Sequence, residues 1–166
     1  SVLADLSAFV PSRLLDDNAQ IMLRFANGAR GSLWASQVAV GHENGLRIRI
    51  YGDQASLEWF QEQPNQLKFC RLGDTARYLT RGGAAAGNAA NAVTRIPGGH
   101  PEGFLEAFAN LYRDFADQIE AFTAQNPTND IELLVPSVTE GVKGVVFVEK
   151  AVASSKNGSV WMSMDS

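Results

Sequence analysis

From Val2 to about Leu72 apolar and polar residues alternate, the period of a half-buried strand, and turn residues punctuate the alternation. The stretches SVLADLSAF, AQIMLRFA, ARGSLWASQVAV, GLRIRIYG, ASLEWFQ and QLKFCRL therefore predict six strands. Asn27-Gly28, inside FANGAR, is a strong hairpin signal and joins the second and third strands antiparallel through a tight turn. In the fourth strand Leu46, Ile48 and Ile50 fall on one face and Arg47, Arg49 and Tyr51 on the other, which gives the sheet a core face and a more polar face. Met22, Trp34, Ser36 and Val38 share the face opposite Leu33 and Ala35. A semi-apolar open face of this kind predicts a partner.

Residues 73 to 100 change character. They are rich in Gly, Ala and Asn and almost without period, which predicts a long functional or mobile connection, least ordered over 82 to 92. Periodicity then turns helical: Phe104, Phe108, Leu111, Phe115, Ile119 and Phe122 recur every three or four residues. This predicts a helix from Pro101 to about Ala124, with its stripe covering one face of the sheet and NPTND after it as the stop. SVTE, from Ser137 to Glu140, has the spacing of a capping box and opens a second helix that Asn157-Gly158 closes. Gly141 and Gly144 lower helix propensity within it and predict close approach of a neighbouring element. SVWMSM reads as a last strand. Strands first and helices afterwards predict an α+β fold: a predominantly antiparallel, open-faced sheet with helices packed on one face.

Length and composition narrow the functional classes. A chain of 166 residues, 45% hydrophobic, reads as a single domain with a sizeable core. Fourteen Lys plus Arg against eighteen Asp plus Glu, with the arginines scattered, argue against a nucleic-acid partner. No apolar run has the length of a membrane span. Cys70 is the single cysteine, which agrees with a cytoplasmic location and marks a half-buried small residue of a strand. The opening on a strand pattern, without initiator methionine or leader, is expected of the second half of a longer protein.

The candidate chemistry sits in two short turns. IPGGHPEGFLEAF sets His100 between a glycine pair and Pro101, with Glu102 and Gly103 following. Pro101 suits the first helical position and Glu102 the positive end of the helix dipole. Gly98, Gly99 and Gly103 let another group approach the backbone, and the imidazole offers both donor and acceptor. His42 lies in a Gly-His-Glu-Asn-Gly turn; a solvated loop, a ligand contact and a metal ligand are all open readings there. Two imidazoles and two carboxylates (His42, Glu43, His100 and Glu102) could hold a metal for hydrolase or isomerase chemistry, although their spacing matches no metal signature. RGGAAAG lacks the Gly-Lys-Ser/Thr ending of a phosphate loop, GxGxxG does not occur, and neither a Gly-x-Ser-x-Gly elbow nor a readable Ser-His-Asp set is present.

Three stretches, DDNAQIMLRFANGARGSLWASQVAVGHENGLRIRIYGDQASLEW, HPEGFLEAFANLYRDFADQIEAF and VPSVTEGVKGVVFVEKAVASS, together resemble the C-terminal domain of the Gfo/Idh/MocA oxidoreductases. The resemblance implies the substrate-binding and oligomerisation domain of a two-domain oxidoreductase that uses NAD or NADP on a sugar, polyol or related hydroxylated compound. It implies that the Rossmann domain, the cofactor site and the catalytic base lie outside residues 1–166, so that this chain alone holds no cofactor, no metal and no catalytic residue. By the same resemblance the substrate side comprises His42, Glu43, Asn44, His100 and Glu102, beside Gly41 and Pro101, and a homo-oligomer forms through the open sheet face. A free-standing ligand-binding or oligomerisation module without activity is the alternative.

Overall fold

A computed structural model describes residues 1–124 and 136–165. Along these run β1 (Val2–Ser7), β2 (Asn18–Arg24), β3 (Arg30–Ser36), β4 (Arg47–Tyr51), β5 (Ala55–Phe60), β6 (Gln66–Arg71), β7 (Arg77–Thr80), α1 (Asn88–Ala92), α2 (Phe104–Thr123) and α3 (Val138–Lys156). The fold is α+β with antiparallel strand pairing throughout these strands. The strands divide between a three-stranded and a four-stranded sheet. Two compact units contain them: Ser1–Gly41 with Pro136–Ser166, and His42–Val135. Among the described residues no helix is long and apolar enough to cross a membrane.

In the first unit β1, β2 and β3 lie side by side, with Ile21 opposite Ala4 on one side and Leu33 on the other. The hairpin at Asn27-Gly28 forms as the sequence predicts, as a three-residue loop. Gly28 donates its N–H to the Phe25 carbonyl, Phe25 donates to Ala29, and Gly28 takes the left-handed conformation at φ 91°. Val2, Ala4, Ile21 and Ala151 form the buried core, with Leu6, Leu23, Phe147 and Met162 packed around it. Met22 and Trp34 occupy the opposite, open face, where the Trp34 indole N–H donates to Asn18 Oδ1.

Because β1 is an edge strand, every second N–H along it would point away from the sheet without an acceptor. Three acceptors meet those groups: Val2 N–H donates to the Met162 carbonyl at 2.9 Å, Ala4 N–H to Ser154 Oγ at 2.9 Å, and Leu6 N–H to Ser155 Oγ at 3.1 Å. Helix α3 thus covers the core and closes the strand edge at once. It begins at Ser137, whose N–H donates to Glu140, and ends at Asn157 before Gly158 at φ 84°. Asp17, itself buried, ties the preceding loop by accepting from Phe9 N–H, Val10 N–H and Arg13.

The second unit holds the sheet β4-β5-β6-β7. On its polar face Glu58 pairs with Arg47 at 3.2 Å and Lys68 at 3.5 Å. Ile48, Ile50, Leu57, Trp59, Leu67, Phe69 and Leu79 share the other face, by the pairing of Ile48 with Trp59, Leu57 with Phe69 and Leu67 with Leu79.

Several expectations change. The segment 73 to 100 contains β7 and the single-turn α1. SVWMSM forms only one bridge, between Val2 and Met162, in place of a strand. No residue of α2 is buried, and its stripe from Phe104 to Phe122 is exposed. Among the described residues no strand packs closely against α2, so the stripe is not covered by the sheet at either of its ends. A Cβ on Gly141 or Gly144 would meet nothing within 4 Å, so no element approaches either glycine among the described residues. The NPTND stop lies outside the described residues.

Candidate functional site

Strand register brings the two histidine turns to one end of the four-stranded sheet. Arg47 pairs with Phe60 and Gln66 with Thr80, so the turn before β4, the β5–β6 hairpin and the chain leaving β7 share that end. The edge strands β4 and β7 are three strand spacings apart, about 14 Å.

His42, Glu43 and Asn44 are exposed in their turn, and the His42 imidazole lies near Gly45, which takes φ 62°. Gly45 N–H donates to Glu62 Oε1 at 3.0 Å and Gln61 N–H to the Leu46 carbonyl at 2.9 Å. The hairpin thereby fixes the His42 turn from below.

His100 is exposed as well, and its backbone is tied on both sides. Its N–H donates to the Pro97 carbonyl at 3.3 Å, closing a turn in which Gly99 has φ 86°. Its carbonyl accepts from Arg81 Nη2 at 2.6 Å. A Cβ on Gly98 would lie 3.6 Å from the Arg81 carbonyl. The group that approaches this glycine-rich backbone is therefore the chain's own Arg81 segment.

Glu102 sits apart from the other candidates. It is 7% exposed, and its carboxylate meets Arg81 Nη1 at 2.5 Å while accepting from Arg95 N–H at 2.8 Å and Ile96 N–H at 3.5 Å. Helix α2 starts later than the sequence suggested, with Gly103 as N-cap, so neither Pro101 nor Glu102 is helical. Glu106 is the acid of its first turn and accepts Gly103 N–H at 2.8 Å. That bond holds the Glu106 carboxyl below the ordinary glutamate range, helped by the nearby charges of Arg95 and Arg81.

Two cavities flank this segment. One of about 720 Å³ is lined by Glu62 to Gln66 and by Pro101 to Glu106. The other, about 430 Å³, lies among Leu67, Leu79, Ala86, Val93, Ala107 and the Arg81–Glu102 pair. The first is lined largely by polar side chains, whereas the second, with few polar groups among apolar ones, suits a small organic ligand better than an extended polymer. Among the described residues no group of three or more His, Cys, Asp and Glu side chains could hold a metal ion, which removes support from the metal reading. A dinucleotide fits no better. The Gly-rich segment after β7 leaves an antiparallel edge strand and leads to a helix of five residues, not to the long helix start that cradles phosphates.

Arg81, Asn65, Arg95 and Asn110 carry the site's polar framework and were not singled out by the sequence. A faint signal existed: Arg81 stands directly before Gly82-Gly83, as Pro97 stands before Gly98-Gly99.

Comparison with known proteins places the chain. Residues 2–164 match the family model of the Gfo/Idh/MocA oxidoreductases described as "Oxidoreductase family, C-terminal alpha/beta domain". An uncharacterized oxidoreductase of Bacillus subtilis, YfiI, is 37% identical over 97% of this chain and 41% of its own length. An oxidoreductase from Sinorhizobium meliloti superposes with TM-score 0.91 at 45% identity, over 98% of this chain and 45% of its own. An inositol dehydrogenase homolog from Azotobacter vinelandii, solved in complex with NADH and myo-inositol, superposes with TM-score 0.93 at 39% identity, over 97% of this chain and 43% of that one. The chain thus spans less than half the length of these relatives. It belongs to the Gfo/Idh/MocA oxidoreductase family, as the C-terminal α/β domain.

Proposed function

We propose that this chain is the substrate-binding and oligomerisation domain of an oxidoreductase that uses NAD or NADP on a sugar, polyol or related hydroxylated small molecule. The observation that carries the reading is the placement of the His42 and His100 turns at one end of the four-stranded sheet, on either side of the β5–β6 hairpin. His42, Glu43, Asn44 and His100 line the substrate side through their exposed side chains, and Glu102 serves it from beneath by holding the loop that carries His100. Myo-inositol in the Azotobacter relative supports the substrate class, and NADH there supports the cofactor class. The cofactor belongs to a separate domain, since these residues do not fit a dinucleotide. The open face of Met22 and Trp34 supports association with a second copy.

The test is kinetic, on the full-length protein that carries this chain, with a panel of cyclic polyols and aldoses. His100→Ala raises KM for the best substrate about tenfold with little loss of kcat, the signature of uniform binding. Turnover of no panel member, or a His100→Ala loss confined to kcat, overturns the reading.

A further inference from the structure

Resting on that substrate-side reading, we propose that Arg81 is a positioning residue, which locks the loop carrying His100 and couples it to the turn carrying His42. Its guanidinium makes four hydrogen bonds and one ion pair, using all three of its nitrogens. Nε donates to Asn65 Oδ1 at 2.7 Å, Nη1 to the Ile96 carbonyl at 2.8 Å, and Nη2 to the carbonyls of Pro97 at 3.4 Å and His100 at 2.6 Å, while Nη1 also forms an ion pair with the Glu102 carboxylate. Three of the four acceptors are backbone carbonyls of one short turn, Ile96 to His100. Glu102 grips the same loop from its amide side, through Arg95 and Ile96 N–H. The loop is thus held by its carbonyls and its amides across a single buried ion pair whose side chains are 16% and 4% exposed.

Arg81 also reaches the other turn. Its backbone N–H and its Nε both donate to Asn65, at the end of the β5–β6 hairpin, and Glu62 in that hairpin accepts the Gly45 N–H of the His42 turn. A ligand contacted by both turns therefore meets a spacing fixed by Arg81, Asn65 and Glu62. Lysine can restore the charge opposite Glu102, but an ammonium has three donors on one atom and cannot span Asn65, Ile96 and His100 together. Arg81→Lys is consequently the informative variant, because it keeps the buried charge paired.

The experiment uses the full-length protein, with Arg81→Lys, Arg81→Ala and His100→Ala. Amide hydrogen exchange at Ile96 and His100 should accelerate about tenfold or more in Arg81→Lys, while Leu57 and Phe69 in the sheet keep their protection. For the best substrate of the panel, Arg81→Lys should raise KM about tenfold with kcat within about twofold, and should add no further rise in a His100→Ala background, as expected of residues acting through one another. Unchanged loop exchange, or acceleration equal across the sheet, overturns the positioning role. So does Arg81→Lys with wild-type KM beside His100→Ala with raised KM. Wild-type KM in His100→Ala overturns instead the substrate-side reading, and with it the ligand role of Arg81.

Discussion

Removing one hydroxyl from the edge of β1 should be among the most damaging single-atom changes in the first unit. Ser154 and Ala4 are both fully buried, and Ser154 Oγ accepts the Ala4 N–H at 2.9 Å while donating to the Val160 carbonyl at 2.6 Å. In Ser154→Ala the Ala4 N–H has no acceptor and no access to water, which costs about 1–3 kcal/mol. Val160 is 44% exposed, so water can serve its carbonyl and that loss stays small. The total is then about 2–3 kcal/mol. Ser155→Ala is the control. Its hydroxyl accepts from Leu6 N–H at 3.1 Å where the strand is only partly buried, so water replaces it and the loss is about 1 kcal/mol or less. Urea unfolding followed by tryptophan fluorescence and circular dichroism, with an unchanged slope, measures both. A Ser154→Ala loss below about 0.5 kcal/mol, or no larger than that of Ser155→Ala, would refute the reasoning.

Gly141→Ala and Gly144→Ala should each stabilise α3 by about 0.5–1 kcal/mol, since a Cβ there meets open space and alanine restores helix propensity; thermal unfolding tests this. Gly28→Ala should cost about 1–2 kcal/mol in the same assay, because the hairpin holds that residue at φ 91°. The Phe9 N–H, then Val10 N–H and Arg13, hold the Asp17 carboxyl below its ordinary value. The stability it gives is therefore full above the unfolded value, about 3.9, and is lost as pH falls through the lower folded value. Urea midpoints measured from pH 6 downwards should decline less steeply at the acid end in Asp17→Asn than in wild type.

The strand half of the fold was legible because burial on one face writes itself as alternation, and six strands stand where alternation put them. β7 escaped because Arg77–Thr80 offers only Leu79 to the apolar face, too little for a period to show. α1 escaped for a related reason: NAANA contains no apolar stripe, and its five residues bury nothing. The predicted last strand failed the other way. Val160, Trp161 and Met162 look like a strand, but of the three only Met162 pairs with β1, because the N–H groups of β1 beyond Val2 already belong to Ser154 and Ser155. Side-chain hydroxyls on a helix occupied the ladder that a strand would have used.

The histidine turns could be found by eye, whereas the scaffold that holds them could not, and the cause lies in the acceptors. Arg81 binds mostly backbone carbonyls, which every residue possesses and no letter of the sequence distinguishes. Glu102 shows how one misplaced boundary reassigns a charge. Placed at the mouth of a helix, its carboxylate would complement the dipole and face a ligand; but Glu106 takes the Gly103 N–H, the helix begins at Phe104, and the dipole is served without it. Glu102 is then a buried carboxylate beside a partly enclosed guanidinium. Removing Arg81 would leave the Glu102 carboxylate buried without its counter-charge, a strongly destabilising change. Two carboxylates four residues apart thus divide the work at this corner of the sheet: one starts the helix, and the other, through Arg81, holds still the loop on which His100 stands.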